Sequence, residues 1–108
     1  MGTKRRALVE RTFQGVVATD GSTKITCTGT KLTIHSIIIN NSTLNYVLTY
    51  NRCSIDLPTI TIVPIYEFTL DAGDTVRDTE EYVLNPGEYI QLISDVAGTT
   101  YSVTATQI

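Results

Sequence analysis

Tryptophan is missing from this 108-residue chain, histidine and methionine occur once each, and there are two cysteines and three prolines. Each scarcity weighs against a class of function. Nucleophilic catalysis needs a nucleophile held by a base, and the only histidine, His35, sits in a Thr-Ile-His-Ser run among apolar neighbours. Cys27 and Cys53 with that one histidine fall short of the four ligands of a structural zinc site. No CxxC pair and no Gly-rich phosphate cradle occurs. No apolar stretch approaches the roughly 20 residues of a membrane span, and no apolar run follows the basic start as it would in a secretory signal. The expectation is a chain that is soluble and not exported, with Cys27 and Cys53 as reduced structural thiols. The missing tryptophan weakens a carbohydrate-binding reading, although Tyr46, Tyr50, Tyr66, Tyr82, Tyr89 and Tyr101 remain to supply a stacking face.

Charge is also sparse. Only 18% of residues are charged, against 42% hydrophobic, so the chain is ordered and its surface must be polar through Thr, Ser and Asn. The net charge of −3 lacks the basic footprint of a nucleic-acid binder. The charge is nevertheless segregated. Lys4, Arg5 and Arg6 cluster near the start with Arg11 following, whereas carboxylates gather between Asp71 and Glu88. One reading of the basic start is a solvated tail; the sharper one is an arm that docks on an acidic neighbour.

Helical spacing is nearly absent, and Thr, Val, Ile and Tyr dominate every ordered-looking run. A first run, Ala7 to Phe13, leads through Gly15 into Val16 and Val17 as one bent strand or two, and Ile25 to Thr28 reads as a short one. Lys31 to Ile39 places Leu32, Ile34 and Ile38 on one face and Ile37 and Ile39 on the other, so its second half reads as covered on both sides. Leu44 to Tyr50 alternates, with Leu44, Tyr46, Leu48 and Tyr50 sharing the core face. Ile55 to Pro64 carries Pro58 and Pro64 and reads as a loop or broken strand at a sheet edge. Tyr66 to Leu70 resumes the alternation, Val76 to Leu84 is a polar edge candidate, and Asn85-Pro86-Gly87-Glu88 fits a type II turn. Two more strands, from Tyr89 and from Thr100, bring the count to about seven or eight, the pattern of an antiparallel sandwich. The fold class expected is therefore all-β, a single jelly-roll-like sandwich over residues 15–108, with residues 1–14 as an N-terminal arm or first strand.

Chemical sites are few. Asp71, Asp74, Asp78, Glu80, Glu81 and Glu88 offer many carboxylate pairs for a glycosidase but no sugar platform that singles one out. Asp71, Asp74 and Asp78 bring hard oxygens together, but their spacing matches no EF-hand, and a solvated acidic turn is the plainer reading. Asn40 and Asn41 head glycosylation sequons and read as turn residues. No catalytic, cofactor or metal-binding residue is assigned. The surfaces marked for protein contact are the basic segment Lys4, Arg5, Arg6 and Arg11, the proline-marked edge at Pro58 and Pro64, and the acidic region with Asp71, Asp74, Glu80 and Glu81.

The order of features is distinctive over about two thirds of the chain. It runs through Ile34-His35-Ser36-Ile37-Ile38-Ile39-Asn40-Asn41-Ser42, the alternating Leu44 to Tyr50, Leu70-Asp71-Ala72-Gly73-Asp74-Thr75, Tyr82-Val83-Leu84-Asn85-Pro86-Gly87-Glu88 and Ile90-Gln91-Leu92, and ends on a Thr/Val strand. In this pattern it resembles small β-sandwich virion proteins of tailed bacteriophages, the capsid decoration proteins and head or tail accessory subunits. The resemblance implies a non-enzymatic capsid decoration or cement subunit, made in the bacterial host cytoplasm and built into the virion. It further implies contact with the major capsid protein or other virion subunits, and a homo-oligomer, a trimer being favoured. A neck, tail or fibre subunit is the alternative within that class, and a carbohydrate-binding sandwich module the alternative outside it.

Overall fold

The computed structural model describes residues 8–56 and 59–108. Nine strands cover most of them: β1 (Val9–Val16), β2 (Thr23–Thr26), β3 (Leu32–Asn40), β4 (Tyr46–Asp56), β5 (Thr59–Leu70), β6 (Thr75–Asp78), β7 (Tyr82–Leu84), β8 (Tyr89–Ser94) and β9 (Thr100–Gln107). There is no helix among the described residues, and so none long and apolar enough to cross a membrane.

One sheet runs β1-β9-β3-β6, with β7 beside β3 below β6, and the other runs β2-β8-β4-β5. The antiparallel partners are nested in sequence. β4 pairs with β5 at the centre of the chain, β3 with β6 and β7 outside them, then β2 with β8, and β1 with β9 outermost. The chain is in effect one long hairpin rolled so that most connections cross between the sheets, which is jelly-roll topology. Leu32, Ile34, Ile37, Ile39, Leu48, Leu84, Ile90, Leu92 and Val103 fill the space between the layers, all fully buried. The turn at Asn85 closes as expected: Glu88 N–H donates to Asn85 C=O at 3.0 Å, and Gly87 takes the φ of +84° that type II geometry requires.

Several local expectations are corrected. The register of β3 against β9 shifts between Ile34 and Ser36, a β-bulge that places His35 as an extra residue. The bulge resets the alternation, so Leu32, Ile34, Ile37 and Ile39 all face the core while Ile38 is only half-buried on the other face. The two-sided burial read for this strand is thus a change of phase. Leu44 precedes β4 and is exposed, leaving Tyr46, Leu48 and Tyr50 as the core face. From Thr59 to Pro64 the segment is a sheet edge, as expected, but no loop: β5 continues through Pro64 to Leu70. Proline is tolerated there because β5 has a neighbour on one side only and because a second bulge, at Ile65, adjoins it. The polar run from Val76 divides into β6 and β7, which lie end to end along β3, with the break opposite the His35 bulge.

Strands β4 and β5 outrun their sheet. β8 accompanies β4 only as far as Cys53, and the pairs Ser54↔Thr61, Ile55↔Ile60 and Asp56↔Thr59 continue as a two-stranded ribbon. The radius of gyration of 15.1 Å exceeds the roughly 13 Å of a compact domain of this length, in keeping with an extended shape.

Candidate functional site

The two sheets end on the same side in edge strands, β5 in one and β6 in the other. Between these open edges lies a cleft of about 430 Å³, lined by Tyr50, Tyr66, Phe68, Leu70, Thr75, Val76, Arg77 and Asp78. Period-two alternation builds its aromatic wall: Tyr50 on β4 stands opposite Tyr66 on β5, and Leu48 opposite Phe68. The rings of Tyr50 and Tyr66 meet edge to face at 5.3 Å, and those of Tyr66 and Phe68 are tilted at 5.3 Å. The turn Asp71-Ala72-Gly73-Asp74, closed by Asp74 N–H to Asp71 C=O at 3.0 Å, leads the chain from β5 into β6. On β6, Val76 and the half-buried Asp78 share the inward face, while Arg77 is exposed on the alternate one.

A chain of hydroxyls and carboxylates adjoins the cleft and enters its lining through Tyr50, Tyr66 and Asp78. Tyr50 and Tyr82 both donate to Oδ2 of Asp78, the latter at 2.5 Å. Tyr82 also reaches Glu80 Oε2 at 3.1 Å, Tyr66 donates to Glu80 Oε1 at 2.8 Å, and Glu80 N–H returns to Asp78 Oδ1 at 2.8 Å. Burial, reinforced by the neighbouring carboxylate, holds the hydroxyls of Tyr50 and Tyr82 far above the ordinary tyrosine pKa, and the bond to Glu80 raises that of Tyr66. The three phenols therefore stay protonated donors. Among the described residues the side chain of Arg77 makes no hydrogen bond or ion pair, while its backbone pairs with Ile38. The cleft thus offers aromatic surface and the carboxylate of Asp78, with Arg77 at its rim.

The residues singled out from sequence are dispersed around this feature. Glu80 joins it directly, and Glu81 is exposed beside it in the β6–β7 connection. Asp71 and Asp74 bond within their own turn, Asp71 N–H donating to Asp74 Oδ2 at 3.1 Å, and Asp78 turns to the tyrosines instead of completing a calcium set. Pro64 lies farther along β5, on its open edge. Arg11 is on β1, at the opposite edge of its sheet, where it donates to Gln107 at 2.7 Å and lies 5.1 Å from the centre of the Phe13 ring. Lys4, Arg5, Arg6 and Pro58 lie outside the described residues. Asp78 stood out in the sequence only as one of several carboxylates, and Arg77 and Phe68 not at all, because nothing local joins them to Tyr50 or Tyr66; the nested pairing does.

Other features are less convergent. His35 is exposed on its bulge, bonded to Thr106 Oγ1 at 2.9 Å, and lines a smaller depression of about 300 Å³ with residues of β1 and β9. Cys27 and Cys53 are both buried and free. Cys27 directly follows β2 and Cys53 is on β4, on opposite sides of β8, about 10 Å apart by strand spacing and beyond the reach of a disulfide. Asn41 is buried, its amide donating to Ala97 C=O and Thr99 and its oxygen capping Thr43 and Leu44, so it is the turn residue expected and is closed to glycosylation. No protein-family model, no curated protein and no solved structure matches the chain.

Proposed function

We propose that this chain is a non-enzymatic bacteriophage virion structural protein, specifically a capsid decoration or cement subunit that stabilises the head as one of many copies. The observation that carries the reading is the β4–β5 ribbon. Ile60 on it, and Ile62 and Val63 on the adjoining β5 edge, are 52%, 55% and 52% exposed, and Glu67 is the only charge in the whole of β5. Pro64 and the bulge at Ile65 interrupt this edge, but the uncharged apolar stretch from Thr59 to Val63 remains a template for another chain, which a free monomer would be expected to blunt as well. A two-stranded ribbon is also marginal by itself and gains from a surface to lie on. The jelly roll lends support by analogy of fold, being an architecture of capsid proteins. In this role the ribbon lies across the major capsid protein or a second copy, and the basic segment Lys4 to Arg11 meets the acidic region of a neighbour, consistent with Arg11 and Glu80 belonging to opposite edges.

The test is sedimentation velocity of the purified chain over a concentration series, then co-sedimentation with heads assembled from the products of the neighbouring genes. The expected result is a defined oligomer, such as a trimer, that pellets with the heads. A monomer at every concentration that stays in the supernatant would overturn the proposal, and pelleting with tails alone would move it to a neck, tail or fibre subunit.

A further inference from the structure

We propose that the cleft between β5 and β6 is a binding site for a neutral saccharide, one pyranose ring resting on Tyr66 and Phe68 with its hydroxyls shared between Arg77 and the carboxylates of Asp78 and Glu80. The site is separate from the apolar ribbon, and the inference does not rest on the virion reading.

The occupant follows by weighing charges and surfaces. At about 430 Å³ the opening is within the ordinary range for small-molecule sites. A cation would be drawn to the aromatic faces and to Asp78 and Glu80, but Arg77 stands in the same wall. An anion would meet Arg77 but also face Asp78, Glu80 and Glu81 on one short stretch of chain. A wholly apolar molecule would cover a carboxylate without replacing the water it displaces, which is costly. A neutral ring with one C–H face and a rim of hydroxyls satisfies all three constraints. Its apolar face covers aromatic surface, and each hydroxyl both donates and accepts.

The wall is also built in advance. Tyr50 and Tyr82 fix Asp78 on one oxygen, and Glu80 N–H fixes the other, yet a carboxylate has about four lone-pair sites and keeps acceptor capacity for a ligand. Tyr66 is held by its bond to Glu80, so its ring is oriented before anything binds. Tyr66 remains 36% exposed, which leaves ring surface for stacking.

The test is a ¹H–¹⁵N NMR titration of the chain with the methyl glycosides of glucose, galactose, mannose and N-acetylglucosamine at millimolar concentrations. At least one should shift amides confined to Tyr66–Leu70 and Thr75–Asp78. Tyr66→Ala should weaken that sugar by at least about tenfold, equivalent to ~1.4 kcal/mol. Arg77→Ala should weaken it as well, and Tyr66→Phe, which keeps the ring, should retain most of the affinity. His35→Ala, in the other depression, should change nothing. Three results would each overturn the proposal: no shifts with any of the four sugars, shifts that survive Tyr66→Ala, or a response at these amides to N-acetyl-lysine methylamide in place of the sugars.

Discussion

Tyr50 is fully buried, yet its hydroxyl is satisfied because Asp78 arrives on β6 to accept it, and Tyr82 donates to the same oxygen. Bonds to a charged acceptor contribute roughly 1.5–3 kcal/mol each, more than neutral ones. Tyr50→Phe keeps the ring and leaves Asp78 with Tyr82, so a loss of about 1–2 kcal/mol is expected in urea denaturation. A loss below about 0.3 kcal/mol would mean that the bond adds nothing to stability. The pH dependence has a fixed sign. Both hydroxyls have pKa values raised above the ordinary 10.0, so the folded chain keeps protons that the unfolded chain releases. Their contribution is complete below pH 10 and shrinks as the pH rises beyond it, by up to about 1.4 kcal/mol per pH unit for each group. Tyr50→Phe should therefore flatten the alkaline fall in stability, as read by denaturation at a series of pH values above 10. At this scale the sequence was half legible: alternation marked Tyr46, Leu48 and Tyr50 as inward, but their polar partners come from strands whose pairing no local pattern encodes.

Strand β3 carries the most demanding register in the fold, because β9 lies along one side of it and β6 and β7 along the other. Strict alternation from Leu32 puts Ile38 with the core and Ile37 and Ile39 outside, whereas the bulge at His35 buries Leu32, Ile34, Ile37 and Ile39 together. The extra residue is needed because both halves of the strand must face one core, and a single-residue slip moves every side chain after it to the other face. Deleting His35 should expose two buried aliphatic side chains in one half or the other. At roughly 1.5–3 kcal/mol for each, the loss approaches the whole stability of a small domain. His35→Ala keeps the residue count and should cost less than about 1 kcal/mol. Thermal melts of the two variants separate register from chemistry, and a deletion variant that melts like the parent would show that the strand has no fixed phase. The same contrast explains what could be read in advance. The Asn85-Pro86-Gly87-Glu88 turn and the alternating β4 follow from local rules, while the β3 bulge and the passage of β5 through Pro64 are set by neighbouring strands.

Nested pairing organises the whole molecule, and it explains why sandwich class was readable while strand order was not. Turn spacing and alternation specify strands; the partnership of Val9 with Gln107 across nearly the full chain is decided by packing alone. Rolling the hairpin leaves β1 and β6 as the edges of one sheet and β2 and β5 as those of the other. Of these, β5 is the longest, carries a single charge and continues into a ribbon that its own sheet does not support. Ile62 lies on the exposed β5 edge where the ribbon leaves the sheet, so a lysine there puts a strongly hydrated charge on the edge without touching the core. If assembly covers Ile62, removing its burial costs roughly 1.5–3 kcal/mol, or about ten- to a hundredfold in association. Folding, by contrast, should change by no more than about 0.5 kcal/mol, as expected for an exposed site. Sedimentation equilibrium and thermal denaturation of Ile62→Lys measure the two quantities separately. Weakened self-association or head binding with an unchanged melt would identify the β5 edge as the contact, and unchanged association would remove it from the interface.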